Sequence, residues 1–191
     1  MIVVFLGPPG VGKGTQARRL CQLLAVPHLS TGDMLRQARG AGTPLGRHVA
    51  EFLDQGRLVP DEVVVSVVQQ RLRQPDCRTG CLLDGFPRTL VQAQALEEML
   101  AAEGHCIDRV LELTLAEEQL VSRMLQRAQR ENRADDTPDT IQRRLDVYRE
   151  QTAPLVARYA ANSLLRTVDG GGTPDEVFAR ITACVGKGSV G

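Results

Sequence analysis

Ile2-Val3-Val4-Phe5-Leu6-Gly7-Pro8-Pro9-Gly10-Val11-Gly12-Lys13-Gly14-Thr15, continuing into Gln16-Ala17-Arg18-Arg19-Leu20-Cys21-Gln22-Leu23-Leu24, decides the fold of this chain. The first five residues after Met1 form an unbroken apolar run, which suits a buried strand. From Gln16 onward the apolar residues return at helical spacing. A glycine loop joins the two without a gap. In a strand–loop–helix unit, the backbone N–H groups of the loop and of the helix start point at one place and can cradle a polyphosphate. Gly7, Gly12 and Lys13 satisfy the pattern G-x-x-x-x-G-K-[ST]. Gly14 stands where the hydroxyl is expected, and Thr15 follows one residue later. Of the 23 cationic side chains only Lys13 and Lys187 are lysines. A lysine in this loop, in a chain that otherwise uses arginine, points to a chemical requirement for a compact charge on the outer phosphates.

Outward from this unit, elements of two kinds alternate. Strands are expected at 2–6, 26–30, 80–84, 109–113 and 163–168. Helices are expected from 16 to 24, from 31 to about 40, from 43 to about 56, from 60 through the valine run 63–68, over 89–103, over 117–127, over 138–161 and over 174–185. The segment 186–191 reads as a tail. Strands separated by helices imply an α/β fold with a five-stranded parallel sheet covered on both faces. Ligands of such sheets bind beyond the carboxyl ends of the strands. Gly7–Thr15, Thr31–Arg36 and Gly85–Arg88 all follow strand ends, so they are expected to meet in one crevice.

Composition narrows the function further. A chain of 191 residues suits a single domain. Its 23 basic and 23 acidic residues balance, which argues against binding nucleic acid through net positive charge. Aromatic residues make up only 3%, too few for a base-stacking surface. No apolar run is long enough to span a membrane, and no signal peptide is read at the N-terminus, so a cytoplasmic location is expected. The cysteines Cys21, Cys77, Cys81, Cys106 and Cys184 are scattered and complete no zinc set. His28, His48 and His105 read as isolated structural or surface residues.

The G-K-G-T loop resembles that of the nucleoside monophosphate kinases, and of adenylate kinases above all. Four further segments continue the likeness in order and spacing, from residue 1 to about 185. They are Ser30-Thr31-Gly32-Asp33-Met34-Leu35-Arg36, Gly56-Arg57-Leu58-Val59-Pro60-Asp61, Asp84-Gly85-Phe86-Pro87-Arg88 with Gln92, and the arginine-rich stretch Arg123–Arg144. The resemblance implies a P-loop three-layer core over 1–191 with two mobile insertions, one binding the monophosphate (about 30–59) and one a short lid (about 126–136). It implies reversible transfer of the ATP γ-phosphoryl group to AMP, giving two ADP, with Mg²⁺ required and no structural zinc. ATP is then expected on Gly10, Val11, Gly12, Lys13, Gly14, Thr15, Arg127 and the backbone of Gly172. AMP is expected on Thr31, Arg36, Arg57, Leu58, Val59, Gly85, Phe86, Pro87, Arg88, Gln92, Arg133 and Arg144. Lys13, Arg88, Arg123, Arg127, Arg133 and Arg144 are the expected catalytic charges, and a monomer is expected.

Some of these roles also follow from the residues themselves. Asp84 ends an apolar strand, where a carboxylate is costly to bury unless it serves a cation. Beside a phosphate loop it would hold water on Mg²⁺. Arg88 offers a bidentate fork to a phosphate. Gln92, one helical turn on, offers an amide to an adenine edge. Thr31 and Gln92 differ from what UMP/CMP kinases usually carry and favour AMP. Arg130 and Arg143 do not fit the pattern and read as surface residues. The lid loop carries Ala128 and Glu131-Asn132 where glycines are common, which bears on its hinge and not on its charge. Two alternatives stand beside this reading, a UMP/CMP kinase and a non-catalytic nucleotide sensor. A GTP-binding switch is disfavoured because no N-K-x-D motif occurs.

Overall fold

The computed structural model describes residues 1–41, 43–131 and 137–186. Strands β1 (Ile2–Leu6), β2 (His28–Ser30), β3 (Cys81–Asp84), β4 (Arg109–Thr114) and β5 (Leu165–Asp169) form one sheet in the order β2-β3-β1-β4-β5. Every pairing is parallel. Helices α1 (Lys13–Leu24), α2 (Thr31–Gly40), α3 (Pro44–Asp54), α4 (Asp61–Leu72), α5 (Leu90–Ala102), α6 (Glu117–Glu131), α7 (Pro138–Val147), α8 (Pro154–Ala161) and α9 (Pro174–Val185) connect and cover it. The expected α/β architecture is therefore present. The valine run at 63–68 is helical, with Val64 and Val68 turned inward one turn apart.

β1 explains why the chain folds around its first residues. All five of its side chains are buried, and they alternate between the two faces of the sheet. Ile2, Val4 and Leu6 join a core with Leu83, Val64, Val68, Leu96, Leu155 and Tyr159. Val3 and Phe5 join a second core with Leu20, Leu111, Met124, Ile141, Val177 and Ile181. Helices α4, α5 and α8 thus cover one face, and α1, α6, α7 and α9 the other. Burying each large aliphatic side chain contributes about 1.5–3 kcal/mol, so both layers are anchored on the strand that carries the glycine loop. β5, at the edge, is the most exposed strand.

Side-chain caps start several helices where the sequence places Ser or Thr. Ser30 accepts from the Asp33 amide, Thr89 from Gln92, and Thr137 from Thr140. Thr173 and Glu176 form a reciprocal capping box at α9.

Two helix expectations need correction. α6 continues to Glu131, four residues beyond the expected end, so the first half of the expected lid segment is helical. The helix expected over 138–161 is interrupted. α7 ends at Val147, a π-turn spans Tyr148–Thr152, and α8 begins at Pro154. Pro154 has no N–H to donate, and in a regular α-helix its ring would meet the carbonyl four residues back. The wider turn closes instead with the Ala153 amide on the Tyr148 carbonyl at 2.8 Å. Among the described residues no helix is long and apolar enough to cross a membrane.

Candidate active site

A cavity of about 780 Å³ opens at the carboxyl ends of β1, β2 and β3. Its floor is the glycine loop. Gly7 leaves β1 with φ +134°, and a Cβ there would collide with the Leu113 carbonyl. Gly12, in the left-handed region, caps α1, so the first turn of that helix faces the cavity. Lys13 is the first residue of α1, and its ammonium donates to the carbonyls of Gly7 (2.6 Å) and Pro8 (2.9 Å). Burial lowers its pKa to about 8. Arg88 and Arg127 push the same way, and Asp84 opposes.

The opposite wall comes from the turn after β3. Gly85 sits at φ +82°, and a Cβ would lie 2.8 Å from Thr31 Oγ1. The Phe86–Pro87 peptide is cis. Arg88 Nε donates to the Gly85 carbonyl at 2.8 Å, and Thr152 Oγ1 donates to the Arg88 carbonyl at 2.9 Å. The π-turn is what brings Thr152 to this position. Burial lowers the pKa of Arg88, with Arg144 and Arg36 adding to the effect and Asp84 opposing it. Five cations from five parts of the chain, Lys13, Arg36, Arg88, Arg127 and Arg144, therefore face one space. Such a cluster is complementary to a dense anion.

Asp84 lies at the end of β3, and its side chain is 13% exposed. His28 Nε2 lies 3.2 Å from Asp84 Oδ2. His28 was expected to be isolated. The parallel register that sets Ser30 beside Asp84 brings His28 to the carboxylate and into the cavity wall.

The far end of the cavity is walled by buried polar side chains. Thr31, only 1% exposed, donates its hydroxyl hydrogen to the Gly85 carbonyl at 2.8 Å. Gln92, also 1% exposed, accepts from the Arg88 amide at 2.8 Å and donates to Asp61 Oδ1 at 2.7 Å. Arg36 is paired with Asp33. Arg57 lies over the Phe52 ring at 4.9 Å. Leu58 and Val59 complete this end.

The remaining expected residues fall as follows. Gly10, Val11, Gly12, Gly14 and Thr15 line the floor, Pro87 the wall, and Gly172 the opposite rim. Arg123 also lines the cavity, but its Nη1 donates to the Val11 and Gly170 carbonyls, both at 3.2 Å. It ties the glycine loop to the β5–α9 turn. Phe86 does not line the cavity. Its ring is fully buried in the core beside Leu83 and Leu96. Arg133 lies outside the described residues. Arg18, Tyr148 and Thr152 line the cavity without having been expected there. Burial, with Glu112 nearby, pushes the Tyr148 phenol up to about 12. No group of three His, Cys, Asp or Glu side chains able to hold a metal occurs among the described residues. Burial also raises Cys21 to about 11 and Cys81 to about 12, which keeps these thiols protonated and unreactive.

The comparisons with known proteins agree with this geometry. A family model described as adenylate kinase matches residues 5–164. An adenylate kinase of a Cyanothece strain is 51% identical over 94% of this chain and 92% of its own length. One from Thermus thermophilus is 50% identical over 96% of both chains. Another from Maricaulis maris is 49% identical over 97% of this chain and 98% of its own. On these matches, nearly full length on both sides, the chain belongs to the adenylate kinase family.

Proposed function

We infer that this chain transfers the γ-phosphoryl group of ATP reversibly to AMP, giving two molecules of ADP. The observation that carries the reading is the set of five cations gathered around one cavity whose floor is a phosphate-binding loop. No general base is required. The acceptor is a phosphate whose second pKa is about 6, so it arrives largely ionised. Catalysis is then positioning and charge stabilisation of an in-line transfer.

In this reading the loop amides of Gly10–Thr15 take the ATP phosphates. Lys13 leaves its own loop carbonyls to neutralise them. Arg88, Arg127 and Arg144 take up charge on the migrating group, with Arg133 joining them from the lid, and Arg36 and Arg88 hold the AMP phosphate. Arg123 braces the loop near the ATP adenine, whose edge meets the Gly172 backbone. At the AMP end, the Thr31 hydroxyl has given its hydrogen to Gly85, so it turns a lone pair to the cavity, as the exocyclic amine of adenine requires. Gln92 offers the base an amide N–H. The backbone of Arg57, Leu58 and Val59, with Gly85 and Pro87, encloses the nucleoside.

The residues fit Mg²⁺. Asp84 supplies one carboxylate, braced by His28, beside Gly14 of the loop, and Mg²⁺ takes few protein ligands alongside substrate phosphates and water. Bound there, the ion would supply charge neutralisation of the polyphosphate.

Segment 30–59 acts as a moving part that helps exclude water, and the second expected moving part, 126–136, lies from residue 132 onward outside the described residues. The Arg39–Asp54 ion pair at 2.8 Å ties α2 to α3, as a rigid flap needs. We place the enzyme in the cytoplasm as a monomer, which sedimentation of the purified protein checks. The test of function is ADP formation from ATP with AMP, CMP, UMP and GMP in turn. AMP should be the strongly preferred acceptor. Turnover of UMP and CMP at the AMP rate would move the assignment to a UMP/CMP kinase, and no turnover at all would make it a sensor.

A further inference from the structure

Asp61 is the first residue of α4 and does not line the cavity. It nevertheless touches the wall that faces the base. Its Oδ1 accepts from Gln92 Nε2 at 2.7 Å, and its Oδ2 accepts from Thr89 Oγ1 at 3.0 Å. Thr89 in turn accepts from the Gln92 backbone amide at 3.1 Å, capping α5. One carboxylate, 31 residues away in sequence, therefore holds the Gln92 side chain directly and its helix start through Thr89.

The amide orientation follows from chemistry alone. A carboxylate only accepts and a backbone N–H only donates. Gln92 Nε2 must therefore face Asp61, and Oε1 must face the Arg88 amide 2.8 Å away. Among the described residues this leaves one Nε2–H without a protein partner, on a side chain that lines the cavity. A base edge meeting that hydrogen must present an acceptor. Adenine presents N1. Hypoxanthine and guanine present N1–H and set donor against donor. A polar group buried without a partner loses the water it had and gains nothing in return.

We propose that Asp61 is a positioning residue that fixes the Gln92 amide donor-outward, so that the acceptor site selects monophosphates whose base edge offers a lone pair and rejects those that offer an N–H. The proposal rests on the reading of Gln92 as the residue facing the base. Asp61 acts from behind the wall and leaves the phosphate end untouched.

The test compares kcat/KM for AMP with kcat/KM for inosine monophosphate, which differs from AMP at the exocyclic group and at N1. Because the ratio is taken on one protein preparation, the folded fraction cancels. In Asp61→Ala the ratio should fall by about tenfold, through a rise in KM for AMP, with KM for ATP unchanged. Asp61→Asn keeps one acceptor oxygen for Nε2 and should restore the ratio to within about threefold of the parent. Gln92→Ala separates the two levels of the argument. If Gln92→Ala collapses the ratio and Asp61→Ala leaves it at the parental value, Gln92 reads the base without Asp61 and the proposal is overturned. If neither variant moves the ratio, Gln92 does not face the base, and both the proposal and the reading beneath it fail.

Discussion

The two ends of the cavity are built on opposite principles. At the base end, the polar atoms have already found protein partners. Thr31 is bonded to Gly85, Gln92 to Arg88 and Asp61, and Thr89 to Asp61. At the phosphate end, burial depresses the proton affinity of Lys13 and Arg88, helped at Lys13 by Arg88 and Arg127 and at Arg88 by Arg144 and Arg36, and Asp84 is the carboxylate that opposes it at both. The first region is fixed in place before anything binds, with one Gln92 N–H left for the base. The second is held together by the fold against its own repulsion, and it becomes favourable when phosphates arrive. Recognition is preorganised by hydrogen bonds within the protein, and chemistry is preorganised by unbalanced charge.

The contrast can be broken most severely at Lys13. Lys13→Ala should cost about a thousandfold in turnover while relieving repulsion, so the thermal midpoint should stay level or rise. A folded variant with near-parental turnover would remove the loop from the mechanism. Arg88→Lys comes next. It keeps the charge but loses the fork that holds Gly85 with Nε and aims the remaining N–H groups inward, and kcat should drop about a hundredfold. A drop confined to KM for AMP would reassign Arg88 to binding alone.

Proton affinity sharpens the contrast further. In the nucleotide-free enzyme Lys13 has its pKa lowered to about 8, so it loses its charge as pH rises through that value. kcat/KM for ATP should then fall by about tenfold per pH unit above 8. Bound phosphates favour the charged form, so kcat at saturating ATP should hold to higher pH. Parallel decline of both profiles would contradict the assignment. The smallest effect belongs to the base end. Gln92→Asn shortens the amide arm and should reduce the preference for AMP over CMP and UMP by about tenfold, without changing KM for ATP. Unchanged discrimination would count against base reading by Gln92.

What the chain declares locally and what it hides divide along the same line. The glycine loop, Asp84 to Arg88 and the arginines at 123, 127 and 144 could be singled out as site candidates because each is carried by a few consecutive residues or by a helix face. The strands were legible because a parallel sheet needs unbroken apolar runs. The partnership of Asp61 with Gln92 was not, because it joins the start of α4 to the first turn of α5 across a strand. The meeting of His28 and Asp84 depends on the register between β2 and β3, which no local pattern encodes. Arg123 was grouped with Arg127 by helix spacing and by the family resemblance, and its hydrogen bonds to Val11 and Gly170 depend on how α6 packs against the loop and the β5–α9 turn, which no local pattern encodes. The break at Pro154 was readable in principle. The helical periodicity of 138–161 was followed across a proline that forbids it.

β1 has a consequence beyond holding the loop. It is flanked by strands on both sides, every side chain is buried, and its last residue runs straight into Gly7. Arg36 and Arg57 instead belong to the helical excursion between β2 and α4, and β2 is the short strand at the margin. Heat or denaturant opens the margins of a protein before its centre. A molecule nearing collapse would thus keep its grip on triphosphate after its hold on the acceptor had loosened.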